Sequence, residues 1–410
     1  MASPAIFPLN APNIDTSPAV TSNDSIQIYN SYDELRQTCP LASTSHYNGF
    51  WLLTRHADIK SAALNSSLFI SSRGAVIPSD PRGIRRPPLN YDPPAHTPYR
   101  TALDRTLKPN RLKRLETVLR KHARDELAPL LEKGTGDICT QFGAKYSAWV
   151  ETEWLNLSPE TAPALAETAA AWVNAWREQK REVVNAQSEK LYSIARALFA
   201  DRKARPRDVE EDPASSLLAE RLDGEPLDEE QLIGGLRQSL VVGMVAPPIL
   251  YGCICVHLAE DKELQKRLRE DPKLTPKAID EFVRLYTPYR GFARTVSEDV
   301  EIHGCTVSPG VKIALSYASA NRDPGVFVRP DEFDMERENI RSHLGFGIGR
   351  HRCLGMPLAK LALQVALETI LECTDDFEVN GPLDYARMPE MGVISCPLTL
   401  ITLGKQQRLH

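Results

Sequence analysis

Residues 346–355 read FGIGRHRCLG, placing Cys353 after Gly345, Gly347 and Gly349 and ahead of a helical pattern. Leu354, Leu358, Leu361 and Val365 recur there at the three- and four-residue spacing of one helix face. Glycine, lacking Cβ, tolerates unusual φ/ψ and lets backbone approach a flat ligand closely. A cysteine just before a helix meets unpaired N–H groups and the positive dipole end, both of which favour the thiolate. A thiolate held by amide donors under a glycine-lined platform is what an axial ligand to haem iron requires. Three other readings compete at this point. A lone cysteine is commonly an inert buried side chain. A phosphate cradle is weak because no Gly-Lys-Ser/Thr follows, and zinc at His351 and Cys353 lacks the paired ligands of a four-ligand set.

Composition narrows the field. A chain of 410 residues can hold a large core, and 42% hydrophobic with 25% charged residues is ordinary for a soluble globular protein. A net charge of −5 makes no global case for nucleic acid or an anionic membrane. Eight cysteines in so long a chain make no disulfide framework, so reduced intracellular thiols and a cytoplasmic location are expected. The N-terminus shows neither a basic n-region nor a long apolar run. Its prolines and serines predict an extended lead-in over residues 1–25, followed by a single domain over 26–410. The most apolar window, residues 240–259, is interrupted by Pro247 and Pro248 and fails as a membrane span.

Taken in order, Asn48-Gly49 is a hairpin signal with a strand at residues 50–53, and residues 56–64 read as a helix. Residues 71–94 form a long Gly-, Pro- and Arg-rich loop that includes Arg82, Arg85 and Arg86. In DPPAHTPYR (92–100) the prolines open a helix that puts His96 and Arg100 four apart on one face. Between Arg100 and Arg124 lie nine Lys/Arg and two acids, read either as a solvated helix face or as a docking surface for an acidic protein. Residues 110–270 are almost entirely helical in pattern, broken by the polar connector 201–213. Thr275-Pro276 caps a helix to about Tyr286, and residues 300–316 predict a β-hairpin turning at Pro309-Gly310. The fold class is mainly α with a minor antiparallel β part.

Glu281 and Arg284, in EFVR, share a helix face, and Arg337 lies just upstream of the cysteine loop. A second arginine on Glu281 makes a buried network that locks a scaffold in place. With these motifs in hand, FGIGRHRCLG resembles the haem-binding signature of the cytochrome P450 family, Phe-Gly-x-Gly-x-His-x-Cys-x-Gly. EFVR resembles that family's ExxR pair and residues 329–337 its meander. DPPAHTPYR and RTVSEDVEIHG (294–304) resemble the soluble, bacterial-type branch. The resemblance runs from about Asn48 to the C-terminus and implies the cytochrome P450 fold, mainly helical around a buried haem b.

The resemblance makes Cys353 the axial thiolate, with Phe346, Gly347 and Gly355 in its loop. It assigns His96, Arg100, Arg294 and His351 to the haem propionates, and Glu281, Arg284 and Arg337 to the structural network. It also implies an acid–alcohol pair within a Gly-x-Asp/Glu-Thr pattern on a long distal helix. Here residues 242–248 read VGMVAPP: Gly243 fits the glycine, while Val245 and Ala246 replace the acid and the alcohol. Neither can donate or relay a proton. Pro247 and Pro248 remove two backbone donors, so the helix must kink or open there.

The substrate pocket implied by the resemblance takes in Val242, Ala246, Arg290, Phe292, Val393 and Ile394, roofed by the loop with Arg85 and Arg86. An arginine inside an apolar pocket points to a carboxylate-bearing substrate; turned to solvent or to the propionates, it carries no such meaning. The expected activity is O2- and electron-dependent hydroxylation or O-dealkylation of a small organic molecule. A peroxide-driven or oxygen-independent haem-thiolate enzyme, and a haem protein without catalysis, are the competing functions. No Rossmann fingerprint or clustered cysteines supply an electron-transfer domain. A separate ferredoxin or flavodoxin-like donor with its reductase is therefore expected, docking on Arg105, Lys108, Arg111, Lys113, Arg350 and Arg352.

Overall fold

A computed structural model describes residues 12–78 and 86–402. The chain gathers into two compact units, each assembled from several stretches: residues 1–94, 281–353 and 385–392 in the first, and 95–280, 354–384 and 393–410 in the second.

The first unit is organised by a five-stranded sheet in the order Leu41–Thr44, Phe50–Leu53, Lys312–Leu315, Phe292–Val296, Phe69–Ile70. Three of the four pairings are antiparallel, and Ile313 opposite Trp51 marks the one parallel junction, between Lys312–Leu315 and Phe50–Leu53. Leu41–Thr44 and Phe50–Leu53 are buried along their whole length, as strands covered on both faces are. The Asn48-Gly49 signal does mark their connection. The turn is longer than two residues, because Tyr47, Asn48 and Gly49 all take positive φ (54°, 70° and 81°).

Two expectations change. The segment read as an extended lead-in carries a helical turn, Pro18–Thr21, capped by Ser17, and it buries Ile14, Ala19 and Val20. The 300–316 hairpin turns at His303-Gly304, where φ is +50° and +75°, joining Val300–Ile302 to Cys305–Val307. Pro309-Gly310 instead releases Lys312–Leu315 to the large sheet.

Within this unit the Glu281 carboxylate is fully buried and takes Arg284 bidentately, at 2.8 Å from Nε and 2.7 Å from Nη2. Arg337 Nε donates to the same carboxylate at 3.2 Å, and the Asp334 N–H at 3.0 Å. The remaining guanidinium donors reach the carbonyls of Asn321, Pro330 and Glu332 from Arg284, and of Val328, Arg329 and Glu332 from Arg337. Both guanidiniums also lie against the Phe327 ring, at 5.3 and 5.9 Å.

The second unit is helical, with a three-stranded sheet of Asp376–Val379, Pro397–Ile401 and Thr135–Asp137 at its margin. Its long helices are Pro109–Lys133, Thr161–Arg177, Arg181–Ala204 and Met356–Cys373. Residues 229–260 are long and apolar enough to cross a membrane by length and composition, and two thirds of the apolar window is buried within the protein. They form two half-helices, Glu229–Val242 and Ala246–Glu260, separated by a turn. The downstream half opens with Pro247 and Pro248 in its first turn, the one place where a missing N–H leaves no hydrogen bond unmade.

Removing one partner from the Glu281 network strands a buried charge, a loss of about 3–5 kcal/mol. Arg337→Ala and Glu281→Gln should each lower the urea-unfolding free energy by that order. A loss below about 1 kcal/mol would show that the network does not hold the scaffold.

Candidate functional site

The network leads by short steps to the cysteine loop, all within the first unit. Arg284 holds the Asn321 carbonyl, and Asn321 Oδ1 accepts the Leu344 N–H at 2.6 Å. Gly347 N–H then bonds Leu344 O, and Cys353 N–H bonds Phe346 O, each at 2.8 Å. Glycines let the loop lie down on its neighbours. At Gly345 a Cβ would meet Val283 Cγ1 at 2.6 Å, on the Glu281 helix. At Gly349 (φ +77°) it would meet Ala63 O at 2.7 Å, on the His56–Leu64 helix. Gly347 (φ +66°) has nothing nearer than the Tyr317 hydroxyl at 3.5 Å.

Cys353 is the one exposed cysteine of the eight. Among the described residues no group of three or more His, Cys, Asp or Glu could hold a metal ion. A presented cysteine outside any such group fits an iron already held by a porphyrin, and does not fit a tetrahedral protein-built site. Gly355, which caps the Met356–Cys373 helix, leaves open space where a Cβ would sit.

The residues assigned to propionates are distributed over both units. In the first, Arg294 is buried, donating from Nη1 to Ala293 O at 2.8 Å beside the Tyr317 hydroxyl. His351 lies 3.8 Å from Asp92. Burial pushes the Asp92 carboxyl up, but hydrogen bonds from Ser72 and Ser71 and the charge of His351 outweigh it and hold the group below its ordinary range. In the second unit, His96 is buried at the start of the His96–Arg105 helix. Arg100, one turn on, pairs with Asp104 at 2.6 Å.

Among the residues predicted for the substrate pocket, one has other work. Arg290 is 2% exposed, and its guanidinium donates to the backbone oxygens of Glu390, Ala19 and Ser22. It ties the N-terminal turn to the 385–392 segment and does not offer its charge to a carboxylate ligand. Arg85 lies outside the described residues, and Arg86 is half-buried with its N–H on Asn90. Phe292 stacks at a tilt 5.0 Å from Tyr289. Val393 is buried against Gly252 of the downstream half-helix, and Ile394 is partly exposed. Val242 is half exposed; Val245 and Pro247 are buried, and Ala246 is half-buried.

The basic run is largely neutralised from within. Arg105 pairs with Glu220, Lys108 with Glu210 and Arg114 with Glu211. Arg111 is buried on the carbonyls of Thr106 and Trp154, which removes it from any docking face. Lys113, Arg350 and Arg352 remain exposed.

One polar residue that the sequence reading did not single out stands at the interrupted helix. Glu151, on Ala144–Trp154, is 4% exposed and abuts Gly243. Its only sequence signal is the four-residue spacing of Gly143, Ser147 and Glu151, which says nothing about what that face meets.

Comparison with known proteins bears on this geometry. Residues 254–391 match the family model described as Cytochrome P450. Cytochrome P450-terp of Pseudomonas sp is 30% identical over 385 residues, spanning 87% of this chain and 89% of the relative. Linalool 8-monooxygenase of Pseudomonas putida is 30% identical over 350 residues, spanning 81% and 84%. The structure of a cytochrome P450 from Chondromyces apiculatus superposes with a TM-score of 0.82 at 25% identity, covering 95% of this chain and 98% of that one.

A side chain at either positive-φ glycine costs about 1–2 kcal/mol in backbone strain. Gly349→Ala adds the overlap with Ala63 O, so it should lower the denaturation midpoint more than Gly347→Ala does. Equal or reversed effects would mean the loop does not rest on the His56–Leu64 helix.

Proposed function

Because the chain belongs to the cytochrome P450 family, we propose that it is a haem b monooxygenase that hydroxylates or O-dealkylates a small, largely apolar organic substrate. The observation that carries the reading is the exposed Cys353 on a loop fixed by the Glu281 network. Haem iron held by Cys353 would supply the redox chemistry that activates O2.

The protein's own residues set the conditions for that chemistry. The Cys353 backbone N–H is committed to Phe346 O, which fixes the residue's place in the loop. Arg294, a buried guanidinium with donors beyond its bond to Ala293 O, supports a propionate at that position, since a buried cation needs an anionic partner. His96, Arg100 and His351 are proposed to share this task. Val242, Ala246, Phe292, Val393 and Ile394 offer no charge to a substrate. With Arg290 committed to backbone, an apolar substrate is favoured over a carboxylate. Two electrons per turnover are proposed to come from a separate ferredoxin or flavodoxin-like donor, met by exposed cations such as Lys113, Arg350 and Arg352.

The test pairs binding with turnover. Terpenoids, fatty acids and small aromatic acids are titrated spectrally, and the binders are turned over with reductase, ferredoxin and O2 or with peroxide alone. Product chiefly under the electron-dependent supply supports the proposal, whereas equal or greater product with peroxide replaces it with a peroxygenase. Binding without product under either supply replaces it with a non-catalytic haem protein. In the same assay Ala246→Thr should change coupling by no more than about threefold, well short of the factor of 100 or more that a lone general acid contributes. A larger rise in product would show that the native turn is short of a proton donor.

A further inference from the structure

The Ala144–Trp154 helix and the residue before it present three positions, spaced by four, to the interrupted helix. At Gly143 a Cβ would meet Tyr251 Cδ2 at 2.8 Å and Pro248 Cα at 3.3 Å. Ser147 stands beside the Tyr251 hydroxyl. Glu151 reaches the turn itself, for a Cβ at Gly243 would fall 1.7 Å from its Oε1 and 2.8 Å from its Cδ. Residue 243 is glycine because a carboxyl occupies the room where a side chain would begin.

That carboxyl is buried, and its Oε2 has no hydrogen-bond partner. An ionised carboxylate in such a place is unfavourable by many times the cost of the neutral acid. Burial alone pushes Glu151 up to about 8, with no charged side chain contributing. Tyr146 on the same helix and Tyr251 on the facing half-helix are likewise raised by burial, and neither acts on the Glu151 carboxyl. Glu151 therefore carries a proton at neutral pH and spends it on no structural bond. Beside it, Pro247 and Pro248 cannot donate to the carbonyls of Gly243 and Met244, which a continuous helix would have engaged. A protonated donor thus adjoins a pair of acceptors without helical partners, in the segment where Val245 and Ala246 provide neither acid nor alcohol.

We propose that Glu151 is the proton-relay residue of this enzyme, passing its proton across Gly243 into the turn at 243–245 from the neighbouring helix. The inference rests on the monooxygenase reading. Each turnover then consumes one O2, two electrons from the ferredoxin- or flavodoxin-class donor and two protons, placing one oxygen atom in the substrate and releasing the other as water. Glu151 passes on the protons and regains them from solvent.

Glu151→Gln keeps the shape of the neutral acid and removes its proton, and Glu151→Asp keeps an acid but withdraws it from the turn. Two readouts need no turnover. In infrared difference spectra at neutral pH, the wild type should show a protonated-carboxyl C=O band that shifts in D2O and is missing from the Gln variant. Because the folded-state pKa is raised, the native state holds the proton more tightly than the unfolded chain does. The wild type should therefore lose stability relative to Glu151→Gln as pH rises from 4.5 toward about 8. With an unchanged substrate spectral affinity, product formation should fall about 10–100-fold in the Gln variant, with a larger solvent isotope effect. Absence of the carboxyl band, or turnover within twofold of wild type with the same isotope effect, overturns the relay. If the Gln variant does not fold, the Asp variant is read by turnover and solvent isotope effect, with a smaller fall expected and turnover within twofold of wild type overturning the relay. Wild type that forms no product with donor and O2 overturns the monooxygenase reading itself, a failure visible without any variant.

Discussion

The Glu281 carboxylate, fully buried and shared by Arg284 and Arg337, is the constraint on which the cysteine loop depends. Each of the three side chains is stable in the interior only while the other two are present. The guanidiniums spread this dependence outward, gripping backbone oxygens from residue 321 to residue 332. Asn321 hands it on to Leu344, and from there two hydrogen bonds carry it to Cys353. A surface helix pair of the same spacing would contribute little. Here the pair fixes the position of a thiol more than fifty residues downstream, which is why its energetics are those of a scaffold.

The interrupted helix obeys a different constraint. Two consecutive prolines are incompatible with a helix interior and compatible with a helix start, so the chain ends one helix at Val242 and begins another at Ala246. The turn between them gives up helical hydrogen bonds, and Glu151 packs against it where Gly243 has no side chain. A buried neutral acid costs stability at high pH and gives the fold nothing obvious in return, the kind of local expense found where function is being served.

How much of this was legible in the sequence follows from how local each signal is. The cysteine loop, the EFVR pair and the capped helix at Thr275 are short contiguous patterns whose chemistry needs no knowledge of neighbours. The prolines required the helix to kink or open, because a missing N–H is a property of the residue alone, and left bend and break undistinguished. Arg290 looked like a pocket cation because its charge is visible and its partners are not: the carbonyls of Ala19 and Ser22 lie some 270 positions away in the chain. The hairpin at 300–316 was placed on the stronger turn dipeptide, Pro309-Gly310, while the sheet took the following strand and left His303-Gly304 to turn. The basic run invited a docking face, yet its counter-charges at Glu210, Glu211 and Glu220 sit a hundred residues on. Glu151 was missed for the same reason, since nothing near it in sequence says that it meets Gly243.

The proposed activity depends on one bond, that between the Cys353 sulfur and haem iron. The most direct measurement is the reduced carbon-monoxide difference spectrum of purified Cys353→Ser protein beside the wild type, with haem content determined on both. The wild type should give the red-shifted band of a thiolate-ligated haem, and the serine variant should lose that band or fail to retain haem. An unchanged spectrum at full haem content in the variant would contradict the account.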